Sequence, residues 1–370
     1  MDFVNKTKMK AGWTMGFDRD GRELVIIAVK ATFTNPLPGQ EAKLAEEQAP
    51  LVEADVFTGE PGFSAPLYEC DYAHRKPRCD VLLNGSAYAP AGNPTERTTV
   101  LLQIGSLTKS FEVVGNRVWQ AGALYIAVSK PEPFTVMPIS YNNAWGGVDR
   151  SQEDPAKHHS YPLNHAGLGY HEYTSGKYMD GKPLPNTEER GSKISNPKGK
   201  YRPMAFGPIG RAWQPRPKYA GTYDQKWLDE QAPFWPDDFD YRYFQAAPED
   251  QQMPYPTGGE EVVLMNLTPE GTTRFRLPKM KVPVVLIPAS GREQLLTTVI
   301  DTVVIEPDKK RFMLTWRGSV PMRRSCFDIV QTIVGERLRS VRHARMAGMK
   351  KRYANLTEMV KGQKRKVSQK

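Results

Sequence analysis

The sequence predicts a mainly β protein with antiparallel, sandwich-like or barrel-like sheets. Runs rich in β-branched and aromatic residues recur between Gly, Pro, Asn and Asp, at the spacing of strands and turns. Residues 131–256 hold 17 of the 31 prolines, a density that excludes long helices and central strands there. Residues 335–370 carry 12 Lys and Arg against 2 Asp and Glu, with apolar residues at helical spacing. The sequence therefore predicts sheets, an irregular middle segment and a basic C-terminal helix.

Residues 1–130 form the first predicted region, an N-terminal β domain. Its predicted strands cover residues 23–34, 80–88, 98–104 and 110–119. The first run, ELVIIAVKATFT, is rich in β-branched residues and ends at Asn35 and Pro36, which favour a turn. Residues 105–109 predict a hairpin between the last two strands.

Residues 131–258 form the second region, an irregular connecting segment packed on the β framework. Within residues 131–256 lie 11 of the 16 tyrosines and 4 of the 7 tryptophans, too many aromatic residues for a disordered linker. A loop of this length in a compact protein is usually functional or held by specific packing.

Residues 259–325 form a second β region. Its predicted strands cover residues 261–267, 272–277, 282–287, 295–305 and 311–317. Thr268, Pro269, Glu270 and Gly271 supply the turn residues of a hairpin between the first two strands.

Residues 326–370 form the predicted basic helical tail. Leu338 and Val341 belong to its apolar stripe. Its basic faces include Arg342, Lys350, Lys351 and Arg352. Three interpretations remain open: a solvated helix packed on the body, a docking helix for a protein partner, or a segment that binds nucleic acid or anionic lipid.

The charge and the cysteines narrow the class of protein. The formal net charge of +10 resides in the tail, because the rest of the chain has 39 basic and 39 acidic residues. The basic excess therefore does not predict a nucleic-acid-binding protein. Three cysteines without a CxxC pair predict free thiols in a reducing compartment. No apolar run approaches a membrane span or a secretory signal, so we expect a cytoplasmic protein with no membrane partner.

No catalytic motif accompanies the predicted sheets. The sequence lacks a phosphate-binding loop, a dinucleotide-binding glycine pattern, a nucleophile elbow and a zinc-protease helix motif. His158, His159, His165 and His171 offer imidazole ligands, but they fall in the irregular segment without the spacing of a regular metal site. We expect no enzyme activity, cofactor or metal.

The aromatic and acidic residues of the middle segment leave a second function open. Trp227 and Trp235 lie near Asp224, Asp238 and Asp240. On a β scaffold such aromatics can stack on sugar rings while carboxylates bind or catalyse, as in a carbohydrate-binding or carbohydrate-active protein. The alternative interpretation is that the aromatics pin a loop and the acids accept backbone N–H groups.

Several stretches of the chain carry a resemblance to a known family. They are YAHRKP at 72–77, DVLLNG at 80–85, MPISY at 137–141, AWGG at 144–147, FGPI at 206–209, GTYD at 221–224, DDFD at 237–240 and FQAAP at 244–248. With residues 300–302 and 316–317 they span roughly residues 15–320. They resemble a bacterial family known only as a domain of unknown function, whose members act as adaptors or chaperones of type VI secretion effectors.

The resemblance implies a non-enzymatic adaptor. Such a protein binds a toxic effector, often one with a PAAR region, and helps load it onto the VgrG spike. Its motifs carry no catalytic residues to transfer. The candidate partner-binding residues are therefore three aromatic side chains, Trp145, Trp227 and Trp235, together with the basic and apolar residues of the tail named above.

Overall fold

The computed structural model describes residues 1–37, 39–122, 125–322 and 325–336. Twelve strands precede residue 130: β1 (Asp2–Asn5), β2 (Lys10–Phe17), β3 (Glu23–Thr34), β4 (Lys43–Leu44), β5 (Val56–Phe57), β6 (Pro66–Tyr68), β7 (Cys79–Leu83), β8 (Gly85–Tyr88), β9 (Arg97–Ile104), β10 (Leu107–Val114), β11 (Trp119–Ala121) and β12 (Ile126–Val128). Fourteen follow: β13 (Val136–Ile139), β14 (Trp145–Gly146), β15 (Val148–Asp149), β16 (His159–Ser160), β17 (Leu168–Gly169), β18 (Thr187–Glu188), β19 (Gln252–Met253), β20 (Glu261–Met265), β21 (Thr272–Arg276), β22 (Val284–Pro288), β23 (Gln294–Leu296), β24 (Val299–Glu306), β25 (Arg311–Pro321) and β26 (Ile329–Val334).

Helices are short. The α-helices are α1 (Gly176–Met179) and α2 (Gln225–Glu230). The 3-10 helices are Pro90–Gly92, Tyr141–Asn143, Pro155–Lys157, Arg216–Tyr219, Tyr241–Phe244, Glu249–Gln251, Pro307–Lys309 and Cys326–Asp328. The longer α-helix, α2, has six residues. No helix of the described chain has the length and apolar content that a bilayer crossing requires.

The largest sheet joins strands from both ends of the chain, in the order β19-β7-β24-β25-β3-β2, with β4 paired to one end of β3. Its longest pairing is antiparallel and runs along the whole of β25, from Arg311 opposite Thr34 to Pro321 opposite Leu24. β7 and β24 pair in parallel. The strands of the N-terminal and second β regions, which the sequence separates, therefore share a sheet.

Two smaller sheets complete the core. One has the order β18-β10-β9-β20-β21 and the other β1-β26-β22-β23, in which β1 and β26 are parallel. Phe312 of β25 stacks on Phe33 of β3 and on Phe275 of β21, with ring centroids 5.1 and 5.0 Å away. These contacts join the largest sheet to the β21 sheet across a single apolar core.

The opposite face of the largest sheet is polar and equally buried. Alternation places Lys30, Asp80, Thr315 and Arg317 on this face, each less than 5% exposed. The Arg317 guanidinium contacts Asp301 at 2.5 Å, and the Lys30 ammonium pairs with Asp71. Residues 45–50 and 68–76 cover most of this face, and residues 245–247 of the irregular segment cover it around Asp80. A small apolar cluster around Met313 lies beside the ion pairs.

The structure confirms the mainly β prediction, and β3 occupies the whole predicted range 23–34. The sheets are mixed as well as antiparallel, and none in the described chain closes into a barrel. The predicted strand over 80–88 is divided into β7, which pairs with β24 in the largest sheet, and β8, which pairs with β13 in a separate two-stranded sheet. The described part of the predicted helical tail, residues 326–336, holds a 3-10 turn and strand β26 and no α-helix, because residues 329–334 pair with β1 and β22. Residues 337–370 lie outside the described residues.

Candidate functional site

The irregular segment is attached to the largest sheet through one buried carboxylate, that of Asp80 on β7. Asp80 accepts hydrogen bonds from the Lys76 ammonium at 2.7 Å and the Gln245 side-chain amide at 2.5 Å. It also accepts from the backbone N–H groups of Ala246 at 2.8 Å and Ala247 at 3.2 Å. An ionised carboxylate with this many donors is fully satisfied, so it holds the end of the segment rigidly.

Two arginines attach an earlier part of the segment. Arg211 binds Asp55 through two nitrogens, at 2.7 and 3.1 Å, and reaches Glu69 at 3.0 Å. Arg216 pairs with the same Glu69, and its Nε donates to the Tyr243 carbonyl at 3.0 Å. Burial and these carboxylates act on Arg211 in opposite directions, and the net effect is a raised pKa. The Arg211 guanidinium stays charged, and the two side chains together fix the segment in place.

Between these attachments a loop over residues 222–238 projects from the body. Asp238 accepts from the Thr222 N–H at 2.9 Å and from its hydroxyl at 2.7 Å, which closes the loop at its base. Asp224 accepts from the Trp227 N–H and begins α2 as its N-cap. The Trp227 indole donates to the Phe234 carbonyl at 2.9 Å. The loop therefore has a defined conformation that presents α2 outward.

An aromatic cluster lies beneath this loop. The Trp235 ring contacts Phe239 at 4.3 Å and meets the His74 ring edge to face at 5.5 Å, and His74 stacks on Phe244 at 5.1 Å. Burial lowers the pKa of His74 against a smaller opposing effect of Asp18. The imidazole is neutral at physiological pH and packs as an aromatic ring.

The loop and its cluster rest on the end of β2. The Trp235 indole donates to the Phe17 carbonyl at 3.0 Å, and the Phe17 and Phe234 rings meet edge to face at 5.6 Å. The Tyr241 hydroxyl donates to the Asp18 carboxylate. Burial together with this carboxylate raises the pKa of Tyr241 to about 12, so the phenol keeps its proton and the bond persists.

The result is a continuous aromatic patch, defined here as Phe17, Tyr223, Trp227 and Phe234. Phe17 is 48% exposed, Tyr223 52% and Phe234 38%. Tyr223 meets Trp227 edge to face at 4.7 Å, and Leu228, the next residue of α2, is also exposed. Aromatic side chains held rigidly at a surface are typical of protein interaction sites and of sugar-binding sites.

The three carboxylates considered for sugar chemistry have local partners. Asp224 caps α2, Asp238 closes the loop, and Asp240 caps the next 3-10 helix and pairs with Arg242. The hydrogen bonds from Thr222 lower the pKa of Asp238, and the Arg242 side chain lowers that of Asp240. Neither resembles a general acid, which needs a raised pKa. This geometry corresponds to the interpretation in which the acids accept N–H groups.

The other predicted site residues fall in different places. Trp145 is completely buried, and its ring packs against Tyr161 and Tyr201, so the folded chain does not present it to a partner. Trp235 is half-buried and supports the patch from below, whereas Trp227 belongs to it. The tail candidates Leu338, Val341, Arg342, Lys350, Lys351 and Arg352 lie outside the described residues.

The four histidines of the middle segment have separate contacts. His158 bonds the Gln152 carbonyl at 3.0 Å, and His159 lies near Tyr173. The His165 ring lies beside Trp213, and His171 meets the Tyr178 ring edge to face. Within the described parts of the chain, no three His, Cys, Asp or Glu side chains converge in a group that could hold a metal ion.

Phe17, Tyr223 and Phe234 are patch residues that the sequence reasoning missed. A signal for Phe17 was present, because apolar residues alternate at Ala11, Trp13, Met15 and Phe17 before the turn at Asp18. Nothing in the sequence places Phe17 beside Phe234, since 217 positions separate them.

The fold and the patch define a mainly β protein that presents a rigid aromatic surface. The chain belongs to the family described as "Uncharacterized protein conserved in bacteria (DUF2169)", whose sequence profile matches residues 20–317. This match confirms the resemblance to a bacterial family of unknown function. No curated protein and no solved structure matches the chain.

Proposed function

We propose that the chain is a non-enzymatic adaptor that binds a type VI secretion effector and helps load it onto the VgrG or PAAR spike. The observation that supports the proposal is the aromatic patch. Its side chains are exposed, yet hydrogen bonds at Asp224, Asp238 and the Trp227 indole hold the loop that carries them.

Rigid aromatic side chains suit protein recognition for an energetic reason. An aromatic ring buries a large apolar area on binding and loses little conformational freedom when it is already fixed. A few such residues commonly supply most of the binding free energy of an interface. The patch is therefore the part of the described surface best suited to grip a partner.

Copurification with a type VI effector or spike component tests this function. The tagged chain is recovered from its native bacterium at moderate and at high salt, and the bound proteins are identified by mass spectrometry. We expect one large toxin-like protein, a VgrG or a PAAR protein. Recovery should persist at high salt, because apolar contacts are not screened.

Substitutions assign the binding to the patch. The double variant Tyr223→Ser, Leu228→Glu should lower recovery about tenfold, the effect of losing roughly 1.4 kcal/mol. Leu295→Glu is the matched control, since Leu295 is 69% exposed on β23, in a different sheet. Failure to recover any effector or spike protein, or equal recovery with the double variant, contradicts the proposal.

A further inference from the structure

Strand β2 forms an edge of the largest sheet. It pairs with β3 from Lys10 opposite Lys30 to Phe17 opposite Glu23, without a bulge. No strand in the described chain pairs with its other side. An exposed sheet edge presents unpaired N–H and C=O groups, which natural proteins usually cover.

The direction of each β2 backbone group follows from its neighbours. Asp18 donates to the Arg22 carbonyl at 2.8 Å, which makes these two residues a hydrogen-bonded pair. Opposed residues in antiparallel strands alternate between bonded and non-bonded pairs. The next residue, Phe17, therefore has outward groups, and so do Ala11, Trp13 and Met15, at every second position.

A contact on the other side of β3 supports this assignment. The Met322 N–H donates to the Glu23 carbonyl at 2.7 Å, so Glu23 directs its groups away from β2. Glu23 is the residue opposite Phe17. In a non-bonded pair both residues direct their N–H and C=O groups away from each other, so the Phe17 groups point outward.

The chain's own side chains cap both ends of this edge. At one end the Thr7 hydroxyl accepts from the Met9 N–H at 3.1 Å, and the Asn5 amide donates to the Met9 carbonyl at 2.7 Å. At the other end the Trp235 indole N–H donates a hydrogen bond to the Phe17 carbonyl.

Between the caps the edge is open. The outward groups of Ala11, Trp13 and Met15 have no hydrogen bond to any residue that the structure describes. The open interval therefore comprises the five residues from Ala11 to Met15. Beyond it, the N–H of Phe17 is also open, whereas the Phe17 carbonyl is capped.

We propose that this open interval of β2 receives an extended segment of the bound protein as an added strand. The inference rests on the proposed function, since the segment belongs to the protein that the aromatic patch grips. The outward N–H and C=O groups repeat every second residue, a spacing that only extended backbone matches. Phe17 belongs to both surfaces, so the edge and the patch form one continuous site.

Side chains around the interval define the chemistry of that segment. Met15 and Phe17 share one side of β2, and each is 48% exposed, so they favour apolar residues at alternate positions of the added strand. Lys6, Lys8 and Lys10 are exposed at the start of β2, and none forms an ion pair within the described residues. They favour carboxylates at the corresponding end of the segment.

Selection from a phage-displayed library of random decapeptides tests the inference on the full-length chain. Enriched peptides should alternate apolar residues and carry Asp or Glu at one end. Ala11→Pro removes one outward N–H and no bond to β3, and it should weaken binding of the synthesised peptide about tenfold. The matched control Ala11→Ser keeps the N–H and should bind as the unmodified chain does. No enriched peptide, or equal binding by Ala11→Pro, overturns the inference.

Residue-resolved hydrogen exchange on the unmodified chain decides the question if Ala11→Pro does not fold. Added peptide should slow exchange at Ala11, Trp13 and Met15 about tenfold or more, whereas the amides of Gly12, Thr14 and Gly16 are protected beforehand by β3. Unchanged exchange at the outward amides overturns the inference.

Exchange in the free chain identifies competing occupants. Light scattering measures whether the free chain is a dimer. If it is, and if the outward amides are already protected from exchange, the edge is occupied by a second copy of the chain. If the free chain is a monomer and these amides are already protected, another segment of the same chain covers the edge. Either result overturns the inference.

The outcomes separate this inference from the proposed function. Recovery of an effector without peptide binding at β2 leaves the adaptor function standing and removes the added strand. Peptide binding at β2 without recovery of an effector or spike protein leaves the added strand standing and removes the adaptor function.

Discussion

The Gln245 side-chain amide donates a 2.5 Å hydrogen bond to the buried Asp80 carboxylate, across 165 positions of sequence. This bond joins the end of the irregular segment to β7, which lies next to one edge of the largest sheet. The same carboxylate is the nearest counter-charge of Lys76, which is also buried. The attachment of the segment and the neutralisation of a buried charge therefore depend on one side chain.

Asp80→Ala should destabilise the fold strongly. Burial acts to lower the pKa of Lys76, but Asp80 and Glu69 outweigh it and hold the pKa above its ordinary value, so Lys76 stays charged. Removing its main partner leaves a buried, poorly compensated ammonium, at a cost of about 3–5 kcal/mol. Chemical denaturation measures the loss.

Asp20→Ala is the control for that experiment. Asp20 pairs with Arg22 at 2.7 Å, but both side chains are 54% exposed. Such a surface pair contributes about 0–1 kcal/mol, so the free energy of unfolding should change little. Similar losses in the two variants would contradict the role assigned to Asp80.

Glu306 makes the stability depend on pH. Burial favours a raised pKa for Glu306, but hydrogen bonds from Tyr68, Lys309 and Arg311 lower it below its ordinary value of 4.5. A carboxyl with a depressed pKa in the fold stabilises it above the unfolded value, and this stability is lost as pH falls through the folded pKa. Glu306→Gln should therefore be less stable than the unmodified chain at pH 7, and the difference should shrink below about pH 4.5.

Thermal melts of both chains between pH 7 and pH 3 measure that difference. Comparing the two chains cancels the contribution of the other carboxyl groups. A difference that stays constant down to pH 3 would show that the Glu306 charge does not stabilise the fold.

Asp238→Ala should open the loop over residues 222–238. It removes both hydrogen bonds to Thr222, so limited proteolysis within the loop should become several-fold faster. Asp237→Ala is the matched control, because Asp237 contacts Arg19 through its backbone carbonyl, which the substitution keeps. Equal cleavage of the two variants would contradict the role of the Asp238–Thr222 hydrogen bonds in closing the loop.

A second variant at this position, Asp238→Asn, distinguishes a sugar-binding function. If the patch binds protein, a glycan array of the unmodified chain should show no specific signal. A glycan signal that disappears in Asp238→Asn would instead favour the carbohydrate-binding alternative.

Sequence patterns predicted the strands that are buried along their length. Residues 23–34 are recognisable because both faces of β3 are covered, which selects a continuous run of β-branched residues. Strand β2 was missed because Gly12 and Gly16 lower its strand propensity. The structure gives their reason: a Cβ at Gly12 would lie 2.2 Å from the Tyr72 hydroxyl, and one at Gly16 2.3 Å from His74 Nε2.

The candidate site was less predictable than the fold. Trp145 and Trp227 are the same residue type in the same proline-rich region, yet one is buried and the other belongs to the patch. Composition does not determine which ring faces inward, since that depends on contacts with distant strands. The patch likewise requires Phe17 and Phe234 to meet, and such long-range pairs leave no local pattern.

The pairing of β3 with β25 also constrains synthesis of the chain. The first partner of β3 in β25 is Arg311, and the pairing ends at Pro321. During synthesis the edge of β3 that faces β25 therefore lacks its partner until residues 311–321 have been added, nearly 280 positions later. Sheets that depend on such distant contacts form slowly. Until that pairing forms, the apolar side chains of β3 lack part of their native cover, which exposes the unfinished sheet to premature association.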